Sequence, residues 1–320
     1  MNLETLSAWV AARFGLTPPV ACHLVRSYTN DVYAVASGGE RFALKVYGQG
    51  WRTESEVRYE VALLQHLCAK GLRVAAPAIR QGENGDAVQQ WEDAHGLRYA
   101  VLFEYAPGAK PVPPFTPRLY EAFGQAVAQM HALSDDFTTE HRRTPLDLNY
   151  LVDEPLALAL PLVAKPEDRA FLVDIAGQVK EKIILLARAG LDWGPIHGDA
   201  TLDNLHITSD GEIILFDFDS GGPGWRAADL QGWAAHNAEY APTWNAFQRG
   251  YTSVRPLNVS DLAAAPYLTL TWDIWGLKID LDRRVLWQGR EHATHYLNEQ
   301  VAFLRERARA VFSAKTLRTG

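Results

Sequence analysis

HGDATLDNLHITSDGEIILFDFD, residues 197–219, decides how this chain is read. Residues 205–208 and 212–216 are short, apolar and β-prone, and Ser209, Asp210 and Gly211 between them supply the Asp and Gly of a tight loop. A β-hairpin is therefore expected. Asn204 opens its first strand and Asp217 closes the second, so antiparallel pairing brings both side chains to one end of the ribbon. An amide oxygen and a carboxylate at one point can bind a divalent cation. Asp199 stands five residues before Asn204 as a second carboxylate. Phosphoryl transfer from a nucleotide needs a group to orient the attacking hydroxyl and oxygen ligands for the magnesium that neutralises the phosphates. One short segment supplies all three.

The same chemistry needs a strand lysine for the phosphates and a helix glutamate to hold that lysine. RFALKVY, residues 41–47, alternates like a strand and lies between a Gly38-Gly39 turn and Gly48 and Gly50, with Lys45 inside it. A lysine among Phe, Leu, Val and Tyr is costly if buried without a counter-charge, so a partner is required. Glu60 fits. It falls on a helix expected over 54–70, which starts with Thr53 and Glu56 in capping-box spacing and stops at Gly71.

FALKVY around Lys45, RYEVALLQHL around Glu60, MHALS at 130–134, HGDATLDN at 197–204, FDFDS at 216–220 and AADLQGW at 227–233 together resemble the aminoglycoside phosphotransferase and choline kinase group. Those small-molecule kinases share the protein-kinase fold, and the double-acid DFD run resembles the branch of stress-response kinases and type II homoserine kinases. The resemblance implies an α+β, bilobal protein-kinase-like fold with an antiparallel-sheet N-lobe and a mainly helical C-lobe. It implies ATP and Mg2+, with Lys45 on the phosphates, Glu60 paired with it, Asp199 as the catalytic carboxylate, and Asn204 and Asp217 on magnesium. Residues 102–106, including Glu104 and Ala106, become the hinge that meets adenine with its backbone.

The turn that should cover the phosphates, RSYTNDVY at 26–33, departs from the protein-kinase pattern because it has no glycine. Ser, Thr and Asn can replace glycine in such turns. Ser27, Thr29 and Asn30 are thus either phosphate ligands or an ordinary polar hairpin turn.

At 320 residues, 48% hydrophobic and 22% charged, the chain has the composition of a globular protein with room for two cores. Two cysteines, Cys22 and Cys68, make no disulfide framework and suit a reducing cytoplasm. The start reads as an amphipathic helix through Leu3, Leu6, Val10 and Phe14 ended by Gly15, not as a signal peptide. The uncharged stretch 262–272 is too short to span a bilayer. Residues 1–106 carry only −1 of the net charge of −7, so −6 falls on the remainder although its last 20 residues are basic. An acidic C-terminal part attracts a cationic acceptor and disfavours nucleic acid; equally, such acids can serve solubility alone. Oligomeric state is left open.

Residues 1–106 alternate strands, near 20–28, 32–36, 41–47, 87–91 and 97–105, with two helices. A Pro-rich crossing at 107–117 leads into helices expected near 118–133, 167–189, 225–236, 239–252, 261–277 and 292–313. In the second of these, Phe171, Ile175, Val179, Ile183 and Leu186 form one apolar stripe. Two domains follow, 1–106 for nucleotide and 107–320 for the catalytic loop and acceptor.

In YLTLTWDIWGLKIDLDRRVLW, residues 267–287, Trp272, Asp273 and Trp275 make either an aromatic and acidic wall for an ammonium substrate or a core stripe at helical spacing. Asp273 needs a partner in either case. His197 and Asp229 are expected to support the catalytic loop, His131 to cap a helix contact, and Asp219 to be either a third metal ligand or an acid hydrogen-bonding the glycine-rich turn 220–224. The expected function is transfer of the γ-phosphate of ATP to a hydroxyl of a small molecule, be it an antibiotic, amino sugar, choline-like or homoserine-like compound. A protein Ser/Thr kinase and a non-catalytic nucleotide-binding relative are the alternatives.

Overall fold

The computed structural model describes residues 3–78, 85–93, 96–230, 240–288 and 290–313, with backbone only at 93, 282–288, 290–292 and 313. The chain divides into two compact units. The first comprises Met1–Pro113, Leu133–Arg143 and Leu202–Ser220, and the second Pro114–Ala132, Thr144–Thr201 and Gly221–Gly320.

In the first unit, α1 (Leu3–Phe14) precedes β1 (Val20–Ser27), β2 (Asn30–Ser37), β3 (Glu40–Tyr47), α2 (Glu54–Ala69), β4 (Val88–Asp93) and β5 (Gly96–Glu104). The strands form an antiparallel sheet in the order β1-β2-β3-β5-β4. Leu6, Val10 and Phe14 sit on one side of α1, as their spacing requires, and bury against Phe42, Leu44, Trp91 and Leu102 of the sheet. Thr53 caps α2 in a complete capping box with Glu56. That box fixes the first turn of the helix that carries Glu60. The hairpin is β7 (Leu205–Ile207) and β8 (Ile213–Leu215), once β6 is counted in the second unit. It joins the sheet unit through Ala75 N to Leu215 O at 3.0 Å and a mutual backbone pair between Ala109 and Ile207.

The second unit is helical. α3 (Pro117–Leu133), α4 (Glu154–Ala159), α5 (Pro166–Arg188), α6 (Ala241–Thr252), α7 (Val259–Gln288) and α8 (Arg290–Ser313) carry it, with a short ribbon of β6 (Trp193–Ile196) and β9 (Gly222–Trp225). α7 packs against α4, α5 and α8. α3 and α6 approach closely where a side chain at Gly124 would strike Phe247 O and one at Gly250 would strike Glu121 O. Only glycine fits there.

Three expectations change. The α5 stripe keeps the expected Ile175, Val179 and Ile183, but Leu172 replaces Phe171 at its start, and Phe171 and Leu186 are only half-buried. α7 runs well beyond 261–277 because its apolar positions continue to Leu281 and Pro266 is accommodated inside it. A π-type turn, Asn149–Asp153, and α4 are additional elements, and Pro155 sits in the first turn of α4, where its missing N–H costs nothing. The helix expected over 225–236 lies partly outside the described residues; its described part is a 3-10 turn, Arg226–Leu230. Among the described residues no helix is long and apolar enough to cross a membrane. Cys22 and Cys68 are both free thiols.

Candidate active site

Lys45 lies in β3, opposite Val32 and Val101 in the neighbouring strands, and its side chain is 7% exposed. Burial works against the ammonium charge, yet Asp217 and Glu60 outweigh it and hold the pKa above that of an ordinary lysine. Lys45 Nζ donates to Glu60 Oε1 at 3.0 Å and to Asp217 Oδ1 at 2.8 Å. The second Glu60 oxygen accepts from the Tyr47 hydroxyl at 2.9 Å. The helix glutamate is thus fixed at both oxygens, and the lysine it holds is aimed at the end of the hairpin.

Asp217 has φ of 65°, a left-handed conformation that a non-glycine residue rarely adopts. Such strain persists only where surrounding contacts over-determine it, and it concentrates at functional sites. Burial pushes the Asp217 carboxyl up, but Lys45 and then Arg26 overcome this and leave it below its ordinary value. It is ionised at neutral pH. Phe216 N donates to Asn204 O at 3.0 Å, which keeps the two ends of the hairpin together as antiparallel pairing demands.

Lys45, Glu60, Asn204 and Asp217 share the lining of one cavity of about 450 Å³ in the first unit with Glu104 and Ala106. Its apolar wall includes Ala43, Ala75, Phe103 and Phe216. His206 Nδ1 lies 2.8 Å from Ala106 O, and its ring meets Phe216 edge-on at 4.9 Å. The period-2 alternation of Leu205, His206 and Ile207, in which Leu205 is buried, is the sequence signal that marks His206. Arg41 stacks over Tyr105 beside it, with the guanidinium carbon 3.9 Å from the ring centre.

Ser27 and Asn30 are not among the described lining residues. Ser27 Oγ donates to Asp31 Oδ1 at 2.6 Å. Asn30 is buried; its Nδ2 donates to Asp219 Oδ2 at 2.8 Å and its Oδ1 accepts from Gly48 N at 3.1 Å. Both side chains serve the fold of the turn in this structure. Asp219 is likewise committed to protein donors, with Trp51 Nε1 at 2.7 Å and Arg52 Nε at 3.2 Å on its carboxylate. Arg52 and Arg143 both donate to its backbone carbonyl. Burial opposes its charge, and Arg52, Lys45 and Arg143 reverse that and hold the carboxyl far below its usual range. In this structure the Asp219 carboxylate therefore serves Asn30, Trp51 and Arg52, donors outside the 220–224 turn. Trp51, Arg52 and Arg143 carry no local sequence signal, since only their meeting in space reveals them.

In the second unit, the loop bearing Asp199 hangs on Asp229. Its carboxylate accepts from His197 N at 2.7 Å and Gly198 N at 2.9 Å, and His131 Nε2 lies 3.1 Å from it. Burial lowers the His131 pKa, so the ring is neutral at pH 7. A carboxylate only accepts, so Nε2 carries the proton and Nδ1 accepts from the Tyr251 hydroxyl at 2.8 Å. His197 is fully buried, and its Nδ1 accepts from Asp199 N at 3.3 Å. Asp199 itself is exposed. A buried base of His197, Asp229 and His131 thus carries the exposed carboxylate of Asp199.

Trp275 is buried and packs against Tyr150 and Trp272, with ring centres 6.0 and 4.9 Å apart. Asp273 pairs with Arg307 of α8 at 3.4 Å. Burial raises its carboxyl to about 6, against the pull of Arg307. These contacts are those of a core stripe with a buried acid, and the acid's required partner is a basic residue of the next helix.

Residues 22–257 match the model of the phosphotransferase enzyme family, APH. The chain belongs to this family. An uncharacterized protein of Deinococcus radiodurans is 38% identical over 279 residues, 84% of this phosphotransferase and 79% of the relative. A homoserine kinase of Brucella anthropi is 29% identical over 251 residues, 75% of this chain and 72% of the other. The solved amicoumacin kinase hAmiN, in complex with AMP-PNP, Ca2+ and Ami, superposes with a TM-score of 0.72 at 20% identity, covering 94% of this chain and 93% of that one. The expected kinship with small-molecule kinases and the α+β fold both hold.

The donor set of the phosphotransferase fits magnesium. Asn204 and Asp217 offer two oxygens at the cavity, and among the described residues no group of three or more His, Cys, Asp or Glu could cage a metal. Magnesium keeps several waters and takes one or two protein oxygens together with substrate phosphates, which is what such a sparse set provides.

Proposed function

We propose that this phosphotransferase moves the γ-phosphoryl group of ATP, with magnesium, to the hydroxyl of a small hydroxylated amine. The observation that carries the reading is Asp217, held in a strained left-handed conformation against Lys45 at 2.8 Å inside a cavity of about 450 Å³. That volume suits a nucleotide-sized ligand. Adenine lies along the apolar wall next to Glu104 and Ala106, and Lys45, kept charged by Glu60, binds the phosphates. Asn204 and Asp217 would hold magnesium, which when bound neutralises charge on the phosphates.

Asp199 orients the acceptor hydroxyl and takes its proton as the oxygen attacks phosphorus; the bond from phosphorus to the β-bridging oxygen breaks and ADP leaves. Transfer then needs positioning more than covalent chemistry. A hydroxylated amine as acceptor is supported by the acidic balance of the chain beyond residue 106 and by the homoserine kinase relative. Asp273, Trp272 and Trp275 are left out of the acceptor site because their contacts are internal.

Differential melting with ATP and MgCl2 tests the donor half, since a ligand at about a hundred times its Kd stabilises by about 2.7 kcal/mol. No shift with nucleotide would end the proposal. A panel of amino alcohols, aminoglycosides and hydroxy amino acids, read as acceptor-dependent ADP release, tests the acceptor half.

A further inference from the structure

β1 and β2 pair regularly from Val20 opposite Ser37 to Leu24 opposite Tyr33, and then the register slips so that Arg26 faces Val32 and Val25 is the extra residue. A bulge of this kind bends the strand and re-aims the side chains that follow it. Arg26 consequently lines the nucleotide cavity, and its Nη2 donates to Asp217 Oδ2 at 2.8 Å across 191 residues of sequence. Lys45 holds the other Asp217 oxygen. Both oxygens of the magnesium-binding carboxylate are thereby on cations.

A divalent ion on that carboxylate repels both cations and gains by displacing one of them. Lys45 is 7% exposed and tied to Glu60, whereas the Arg26 side chain is 52% exposed and, among the described residues, pairs with Asp217 alone. Arg26 is the one that can move. With magnesium on Asp217, the guanidinium faces like charge and gains by finding an anion, and phosphate oxygens match its planar fork. The turn that follows has no glycine to let backbone amides wrap a triphosphate, and its Ser27 and Asn30 side chains are engaged with Asp31, Asp219 and Gly48.

We propose that Arg26 is a phosphate ligand of this phosphotransferase, held on Asp217 in the free protein and handed to the terminal phosphates when magnesium and nucleotide bind. This rests on the nucleotide reading above. Arg26→Gln and Arg26→Lys are compared with the unaltered chain by titration calorimetry, using AMP-PNP with MgCl2 and AMP as probes. Because a hydrogen bond to a charged group is worth at least one decade of affinity, Arg26→Gln should weaken AMP-PNP about tenfold or more and AMP less than twofold. Arg26→Lys should recover part of the loss as a point charge. Melting without ligand should stay within about 1 °C, since a half-exposed pair adds little to stability.

Unchanged AMP-PNP affinity in Arg26→Gln would overturn the role. Equal losses for AMP-PNP and AMP would overturn it too, because they would mark a distorted cavity and not a lost phosphate contact. If the unaltered chain binds no AMP-PNP, it is the nucleotide reading itself that fails.

Discussion

Replacing Asp229 by Asn measures how firmly the second unit holds the loop that carries Asp199. The Asp229 carboxylate is 1% exposed and serves three donors, at 2.7, 2.9 and 3.1 Å. An amide offers one oxygen where the carboxylate offered two. If that oxygen replaces Oδ2, His197 N and the His131 ring keep an acceptor, and the new NH2 meets Gly198 N–H donor to donor. Leaving a buried donor unsatisfied costs about 1–3 kcal/mol, and the two surviving bonds lose their charge assistance, about 1 kcal/mol each. Removing a buried charge offsets part of this, for a net destabilisation of about 2–4 kcal/mol. With about 2.1 cal/mol/K of unfolding entropy per residue, a chain of 320 residues melting as one unit shifts by about 1.5 °C per kcal/mol, so Tm should fall by about 3–6 °C.

The larger effect should be kinetic. Asp199 follows His197 by two residues and bonds to it, so a loop displaced by about 1 Å should lower kcat by about a hundredfold. Melting by calorimetry and steady-state ADP release measure the two quantities. Tyr251→Phe serves as the control, since it removes only the hydroxyl that His131 accepts from, at about 1 kcal/mol. An Asp229→Asn protein with unaltered Tm and kcat would refute the claim that this carboxylate positions the loop.

Asp199→Asn should lower kcat by about two to four decades while the Kd for ATP with magnesium stays within about twofold, because the substitution removes a proton acceptor and none of the residues assigned to the nucleotide. Turnover at the unaltered rate would contradict the assignment. For Asp273 the fold holds the carboxyl at about 6, above its value in an unfolded chain, so the folded state carries the extra proton between those limits. Stability contributed there is fully present below about pH 4 and lost as pH rises through about 6 towards 7. The stability difference between Asp273→Asn and the unaltered chain should therefore move in favour of the variant by about 2–3 kcal/mol across that range, and parallel pH profiles of Tm would disprove the buried-acid account.

What was legible in the sequence was what neighbouring residues decide. The hairpin over 205–215 follows from two β-prone runs around Asp210 and Gly211, and the α2 start follows from Thr53 and Glu56, because turn and cap chemistry act over three or four residues. The pairing of Lys45 with Glu60 was legible for a different reason. A strand lysine among apolar side chains demands a counter-charge, and few residues nearby could supply it. The limits of α7 were not, since its length is set by packing on α4, α5 and α8.

Sequence alone determined that this chain has a phosphotransferase's parts: a strand lysine, a helix glutamate, a loop aspartate, and an amide and acid at the two ends of one ribbon. Tertiary structure alone decided which carboxylate does what. Asp217 and Asp219 are two residues apart and chemically identical, yet one is turned by a φ of 65° towards Lys45 and Arg26 in the cavity and the other is buried under Asn30, Trp51 and Arg52. The partners that separate them come from positions more than 160 residues away in the chain. No local propensity encodes contacts at that range, because the strength of a charge interaction depends on distance and burial in the folded state.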